Sequence, residues 1–245
     1  MSRTAVYQAL VLRNRASGES NSEITMLTSE EGIIRATVFG GAKSKLRAHS
    51  APYNSGQVWI YRDPAKDYAK ISDFDVQSWR PGLRELYERS MTAGAVAETI
   101  LSSHGGGGEW AQAQKLALET LDTLESANEE LCQKLLIHFL WRWSGFLGIQ
   151  PRLENCAACD RDASAEPLWF SVREGAAFCG DCAHEQQGLL RLDSGCRRWL
   201  ALSGQLEPSA LHRYSMDNKS FAEAKSLVTS VVTGALGKRL AVWDW

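Results

Sequence analysis

Glu23-Ile24-Thr25-Met26-Leu27-Thr28, then Ser29-Glu30-Glu31-Gly32, then Ile33-Ile34-Arg35-Ala36-Thr37-Val38-Phe39 reads as two strands joined by a tight turn. The flanks are rich in β-branched and apolar residues that suit a pleated, half-buried chain. The glycine that ends the charged tetrapeptide supplies the turn. Working outward, Thr4–Arg13 is rich in Val, Tyr and Leu and predicts a strand before this hairpin. Gln57–Arg62 and Tyr68–Asp75 predict two more, parted by the turn-forming run Asp63-Pro64-Ala65-Lys66-Asp67. Five strands within residues 1–80 suit a small closed barrel, and the OB-fold is the commonest five-stranded answer.

Arg80-Pro81-Gly82 breaks the strand pattern, and helical spacing takes over. Helices are predicted over Leu83–Ser103, Glu109–Glu125 and Glu129–Leu147, the first two separated by a flexible connector at Gly105–Gly108. In the third helix Leu131, Leu135, Phe139, Trp143 and Phe146 recur at steps of three and four, a wide apolar stripe. Ser194–Ser203 and Ser220–Val242 read as further helices. The fold class is therefore α+β: an N-terminal barrel domain over 1–80, then a helical domain over 81–245.

Into that helical domain a metal segment, residues 153–186, is inserted. Cys156-Ala157-Ala158-Cys159 and Cys179-Gly180-Asp181-Cys182 are two Cys-x-x-Cys pairs. Each pair points two thiolates at one ion from a single turn, and two pairs fill a tetrahedral zinc shell. One Zn2+ with four thiolates has no open position for water or substrate, so the site is structural. Trp169, Phe170, Val172 and Phe178 are available to cover the ion, and His184 is a possible substitute ligand. Cys132 reads as a small buried hydrophobe, and Cys196 has no base near it in sequence, so neither is assigned chemistry.

The formal net charge of −2 excludes a globally basic nucleic-acid coat. Residues 1–80 nevertheless carry eleven Lys or Arg against eight Asp or Glu, a local surplus of three. The sequence shows no charged-then-apolar leader and no apolar run long enough to span a bilayer, which with the paired cysteines predicts a reducing cytoplasm and no membrane. Most of the nine tryptophans lie from Trp79 onward, which predicts that most of these serve the helical core. No Walker-type loop, Gly-x-Ser-x-Gly or His-Glu-x-x-His occurs, and Asp73 and Asp75 read as a solvated strand face. An enzyme is the least favoured class.

Lys43, Lys45 and Arg47 alternate after Gly40-Gly41 and can present cations to a phosphate backbone, with Arg13, Arg15 and Arg35 extending the patch from neighbouring strands. Phe39, Tyr53, Trp59 and Tyr61 can stack bases. A solvated loop beside a barrel whose aromatics are core competes with that reading. Arg142, one helical turn from His138 and Phe139, suits the terminal carboxylate of a partner tail ending in Phe. An arginine whose stem covers helix surface competes there.

Gln8-Ala9-Leu10-Val11-Leu12-Arg13, Gly18-Glu19-Ser20-Asn21 and Ile24-Thr25-Met26-Leu27-Thr28 together resemble the start of the bacterial RecO recombination-mediator family. Glu31-Gly32-Ile33-Ile34 and Gly40-Gly41-Ala42-Lys43-Ser44-Lys45-Leu46-Arg47 resemble its second block. Phe139-Leu140-Trp141-Arg142-Trp143-Ser144-Gly145-Phe146-Leu147-Gly148-Ile149-Gln150-Pro151 is similar to its helix-ending signature, and the paired cysteines match the zinc-bearing members. The resemblance covers about residues 4–190. It implies an OB-fold, a helical body with an inserted zinc site and no turnover chemistry. It also implies binding of single-stranded and double-stranded DNA, strand annealing, and contact with the C-terminal tail of single-stranded DNA-binding protein. The position of Arg142 matches the one associated with that tail. RecR as a partner, RecA loading and work at the nucleoid are implied in the same way. A zinc-stabilised protein-protein adaptor without direct DNA binding is the alternative.

Overall fold

The computed structural model describes residues 3–18, 20–40, 44–63, 65, 68–184 and 187–240. Two compact units divide the chain, Met1–Asn128 and Glu129–Trp245.

In the first unit β1 (Thr4–Ser17), β2 (Asn21–Thr28), β3 (Gly32–Val38), β4 (Ser55–Asp63) and β5 (Tyr68–Ser78) close into a barrel in the order β1-β2-β3-β5-β4. Neighbouring strands are antiparallel except β3 and β5, which are bridged in parallel at Thr37 and Lys70. That order, with β4 returning to β1, is the OB-fold. β1 performs the closure. Thr4–Leu10 pairs with β4, Ala9–Ser17 pairs with β2, and the register shifts between Val11 and Arg13. The shift bends the strand and tightens its twist. β1 runs past the predicted end at Arg13 because its far half is held by β2, a pairing invisible in the strand itself.

Alternate residues fill the barrel: Tyr7, Ala9 and Val11 from β1, Ile24 and Met26 from β2, and Ile60, Ile71 and Phe74 from β4 and β5. At the predicted turn, Thr28 Oγ1 donates to the Gly32 carbonyl at 3.0 Å and accepts from the Glu31 amide at 3.2 Å. Gly32 has φ +70°, and a Cβ there would meet Trp110 Nε1 at 2.7 Å. Both the backbone conformation and the indole require glycine.

The described part of the basic segment after β3 includes a short helix, α1 (Lys45–His49). Its Leu46 packs on the barrel core, and Asn54 Nδ2 donates to the His49 carbonyl at 2.9 Å. Lys43 lies outside the described residues. Helices α2 (Tyr87–Ser102) and α3 (Trp110–Leu124) follow a 3-10 turn at Pro81–Arg84. Gln114 of α3 donates to the Gln8 and Leu27 carbonyls at 2.9 and 2.8 Å, which locks α3 to β1 and β2. The glycine run is no free connector. Gly105 bonds the Ile100 carbonyl at 2.9 Å and is buried against Ile33 and Leu27. Arg80, left-handed at φ 46°, joins barrel and helices: it donates to Asp122 at 2.7 Å and to the Tyr53 carbonyl at 2.7 Å.

The second unit is built around α4 (Glu129–Phe146), which packs on α6 (Ser194–Ser203), on α7 (Asn218–Leu236) and on a 3-10 turn at Pro208–Arg213. Cys132, Leu135, Leu136, Ile137, Phe139, Leu140, Trp141 and Trp143 are all buried. A helix apolar nearly all round has to sit inside its unit. α7 ends at Gly237, φ +64°, short of the predicted Val242. Its start is fixed by Asp217, whose carboxylate accepts from the Lys219 and Ser220 amides at 3.0 and 2.9 Å. Between α4 and α6 lies the cysteine segment, with β6 (Leu168–Ser171), β7 (Ala176–Phe178), the short helix α5 (Gly180–Ala183) and β8 (Leu190–Leu192). Its sheet runs β7-β6-β8.

Candidate metal centre and nucleic-acid interface

Two turns bring the four cysteines together. The first is a knuckle closed by the Asn155–Asp162 bridge, in which Cys156 donates to the Arg161 carbonyl at 2.9 Å and Asp160 takes φ 57°. The second follows β7, where Cys179 caps α5 and Cys182 and Ala183 donate back to its carbonyl. The Ala157 amide donates to the Ala177 carbonyl at 2.8 Å and ties one turn to the other.

The result is four sulfurs, of Cys156, Cys159, Cys179 and Cys182, all within 4.8 Å of one another. Cys159 and Cys179 sulfurs are 3.9 Å apart. Burial pushes the Cys156 thiol up, but amides of Cys179, Cys159 and Ala158 aimed at its sulfur outweigh it and bring it down to about 6. Cys182 is pushed the other way, to about 12, by the sulfurs of Cys179, Cys159 and Cys156. Four thiolates this close repel, and a cation at their centre removes the conflict. The donor set fits a metal ion that favours sulfur. Arg161, held by Asp181 at 3.1 Å, lies in the field of Cys179 and offsets the negative charge such a site carries.

Phe170 and Phe178 are buried, and Trp169 lies 3.4 Å from where a Gly180 side chain would begin. Val172 is exposed. His184 is also exposed and outside the cluster. Cys196 is buried, and burial pushes its thiol up to about 12, which keeps it inert. Sequence reading passed over Arg197. Its buried guanidinium donates to the carbonyls of Leu153 at 2.8 Å, Ala163 at 2.6 Å and Glu166, all within the metal segment.

The cations singled out in the sequence fall into two groups on the barrel. Lys45 and Arg47 ride on α1. Arg13, Thr25 and Arg35 form one cross-strand row, and Arg15, Glu23, Thr37 and Lys70 form the next, both on the outer face. Arg13 is half-buried with its Nε unpartnered. Tyr53 and Trp59 are partly covered, while Phe39 is 46% exposed. Trp79 is also 46% exposed, at the end of β5 and edge-on to His49 at 5.2 Å, so it does not serve a helical core.

In the second unit Phe139 and His138 are fully buried, Phe139 stacked on Trp143 at 5.2 Å. His138 Nε2 and Arg142 Nη1 both reach the Leu206 carbonyl, at 3.1 and 3.3 Å. Of these three residues Arg142 alone keeps part of its side chain accessible.

Residues 1–78 match the domain described as "Recombination protein O N terminal", and residues 84–244 match "Recombination protein O C terminal". The chain belongs to the RecO family. The protein named "DNA repair protein RecO" from Desulforamulus reducens is 25% identical over 240 residues, 97% of this chain and 91% of that one. Its namesake from Pelotomaculum thermopropionicum is 31% identical over 176 residues, 71% of this chain and 66% of the relative. That from Dehalococcoides mccartyi is 30% identical over 187 residues, 74% and 71% of the two chains. This RecO-family chain is thus a DNA repair protein with a barrel, a helical unit and four cysteines able to hold a metal ion. Among the described residues, no helix is long and apolar enough to cross a membrane.

Proposed function

We propose that this chain is a DNA repair and recombination mediator that binds single-stranded and double-stranded DNA and anneals complementary strands. With RecR it helps load RecA on strands coated by single-stranded DNA-binding protein. The observation that carries the reading is a closed OB barrel whose Lys45, Arg47, Arg15 and Arg35 have no ion-pair partner among the described residues. Other arginines of this unit are spent on structure: Arg62 on Glu31 at 2.6 Å and Arg80 on Asp122 at 2.7 Å. Cations left free are the ones a phosphate backbone can recruit, and Lys43 and Arg13 belong to the same proposed patch.

The four cysteines hold one structural Zn2+ in this reading, and the protein works in the cytoplasm at the nucleoid without turnover chemistry. Arg142 receives the carboxylate of the single-stranded DNA-binding protein tail, on the same helix as the buried His138 and Phe139. The test is annealing of complementary strands coated with the cognate single-stranded DNA-binding protein. Acceleration that fades with salt supports the mediator. Unchanged annealing by folded, metal-loaded protein leaves the protein-only adaptor. Arg142→Ala should weaken capture of an acidic peptide ending in Phe while DNA affinity holds.

A further inference from the structure

The barrel carries aromatic rings that its core does not use. The interior is filled by the Tyr7, Ile24, Met26, Ile60 and Phe74 set, whereas Phe39, Tyr61 and Tyr68 stand on the outer face. The register fixes their neighbourhood. Lys70 on β5 lies beside Thr37 of β3 on one side and Tyr61 of β4 on the other. Tyr68, two residues before Lys70, shares its face, and Phe39 follows β3 two residues after Thr37. The Phe39 and Tyr68 rings meet with centroids 5.9 Å apart, tilted by 52°. The Lys70 ammonium sits 5.2 Å from the Tyr61 ring centroid, and Arg3 Nη1 donates to the Tyr61 hydroxyl at 3.1 Å.

We propose that Phe39, Tyr68 and Tyr61 form a base-stacking platform for single-stranded nucleic acid, with Lys70 and Arg35 holding the backbone alongside. The inference rests on the DNA-binding reading above and adds to it which groups contact the bases of the single strand. The argument is one of chemistry and charge. Aromatic faces beside cations match a polymer that alternates flat bases with phosphates, and stacking requires bases that are not already paired. Lys70 and Arg35 have no carboxylate partner among the described residues, so their charge is available. Acidic residues flank the aromatic group: Glu23 lies between Arg15 and Thr37 in the cross-strand row, and the exposed Asp73 and Asp75 follow farther along β5. A duplex hides its base faces and gains only the phosphate contacts.

The test compares fluorescence anisotropy of a labelled homopyrimidine strand, an abasic strand of equal length and a duplex. Proteins are the wild type, Phe39→Ala, Tyr68→Ala, and the ring-preserving controls Phe39→Tyr and Tyr68→Phe. Each alanine change should weaken the homopyrimidine strand about tenfold, the usual effect of removing one stacked ring. Binding of the duplex and the abasic strand should stay within about twofold, and the ring-preserving variants should bind as wild type. Because no phosphate contact is removed, the dependence of affinity on salt should not change. Wild-type affinity for the single strand in both alanine variants would overturn the platform and leave DNA binding standing. Equal weakening on all three probes would also overturn it. No binding of any probe by the wild type would overturn the DNA-binding reading itself.

Discussion

Arg197 and Leu153 are joined by a hydrogen bond of 2.8 Å, from the guanidinium of α6 to the carbonyl at which the metal-bearing segment begins. The same side chain reaches Ala163 at 2.6 Å, so one buried cation gathers the knuckle that presents Cys156 and Cys159. Replacing it leaves several buried carbonyls without a donor, at about 1–3 kcal/mol for an unsatisfied group. Arg197→Met should lower the melting temperature and speed metal loss to a chelator. Unaltered metal retention would mean that the knuckle holds its shape without Arg197.

Metal binding and folding of the cysteine segment should be coupled, because no preformed site exists in the unfolded chain. Purified protein should carry one ion per chain by elemental analysis, with zinc expected. Removing it with a chelator, or changing Cys156→Ser, should depress the melting temperature, and adding the ion back should restore the chelated sample alone. The barrel should survive, since the buried residues described in its core all come from its own five strands. A melting curve indifferent to the ion would remove its structural role.

The hairpin and the metal centre were legible because each depends on local chemistry. Gly32 ends a charged tetrapeptide, and four cysteines carry their spacing in the chain. What could not be read depends on partners distant in sequence. Nothing near Arg197 announces that carbonyls about thirty to forty residues earlier need a donor. α1 has five residues, too few for a helical period to register. The apolar stripe on α4 predicted the burial of Leu135, Phe139 and Trp143 correctly, but the helix is buried almost all round. The stripe therefore could not show that His138 and Phe139 face inward while Arg142 keeps an accessible edge. Composition places most of the later tryptophans in the helical core but cannot say which, and Trp79 at the end of β5 is exposed.

Lys45→Ala and Arg47→Ala test the other half of the barrel's proposed DNA surface. Each lost phosphate contact should reduce the slope of log affinity against log salt by about 0.7–0.9. Single-stranded and double-stranded probes should be weakened together, because a backbone contact is blind to base pairing. That pattern differs from the one expected of Phe39 and Tyr68. An unchanged slope in the double variant would make α1 a barrel cap and no more.

His138 gives the second unit a pH response with a defined sign. Burial holds its imidazole down to about 4, although the hydrogen bond to the Leu206 carbonyl favours the proton. Histidine in an unfolded chain titrates near 6.5. Between those values the unfolded chain takes up a proton that the folded chain refuses, so acid favours unfolding. The stability associated with neutral His138 is complete above about 6.5 and is lost progressively as pH falls toward about 4, a drop on the order of 3 kcal/mol. Melting temperature followed against pH for wild type and His138→Gln should reveal it. The glutamine amide can still donate to Leu206 but does not titrate. The variant should be less stable at pH 7.5 and yet lose less between 6.5 and 4, so the two curves converge in acid. Curves that stay parallel would assign the acid sensitivity of this unit to other groups.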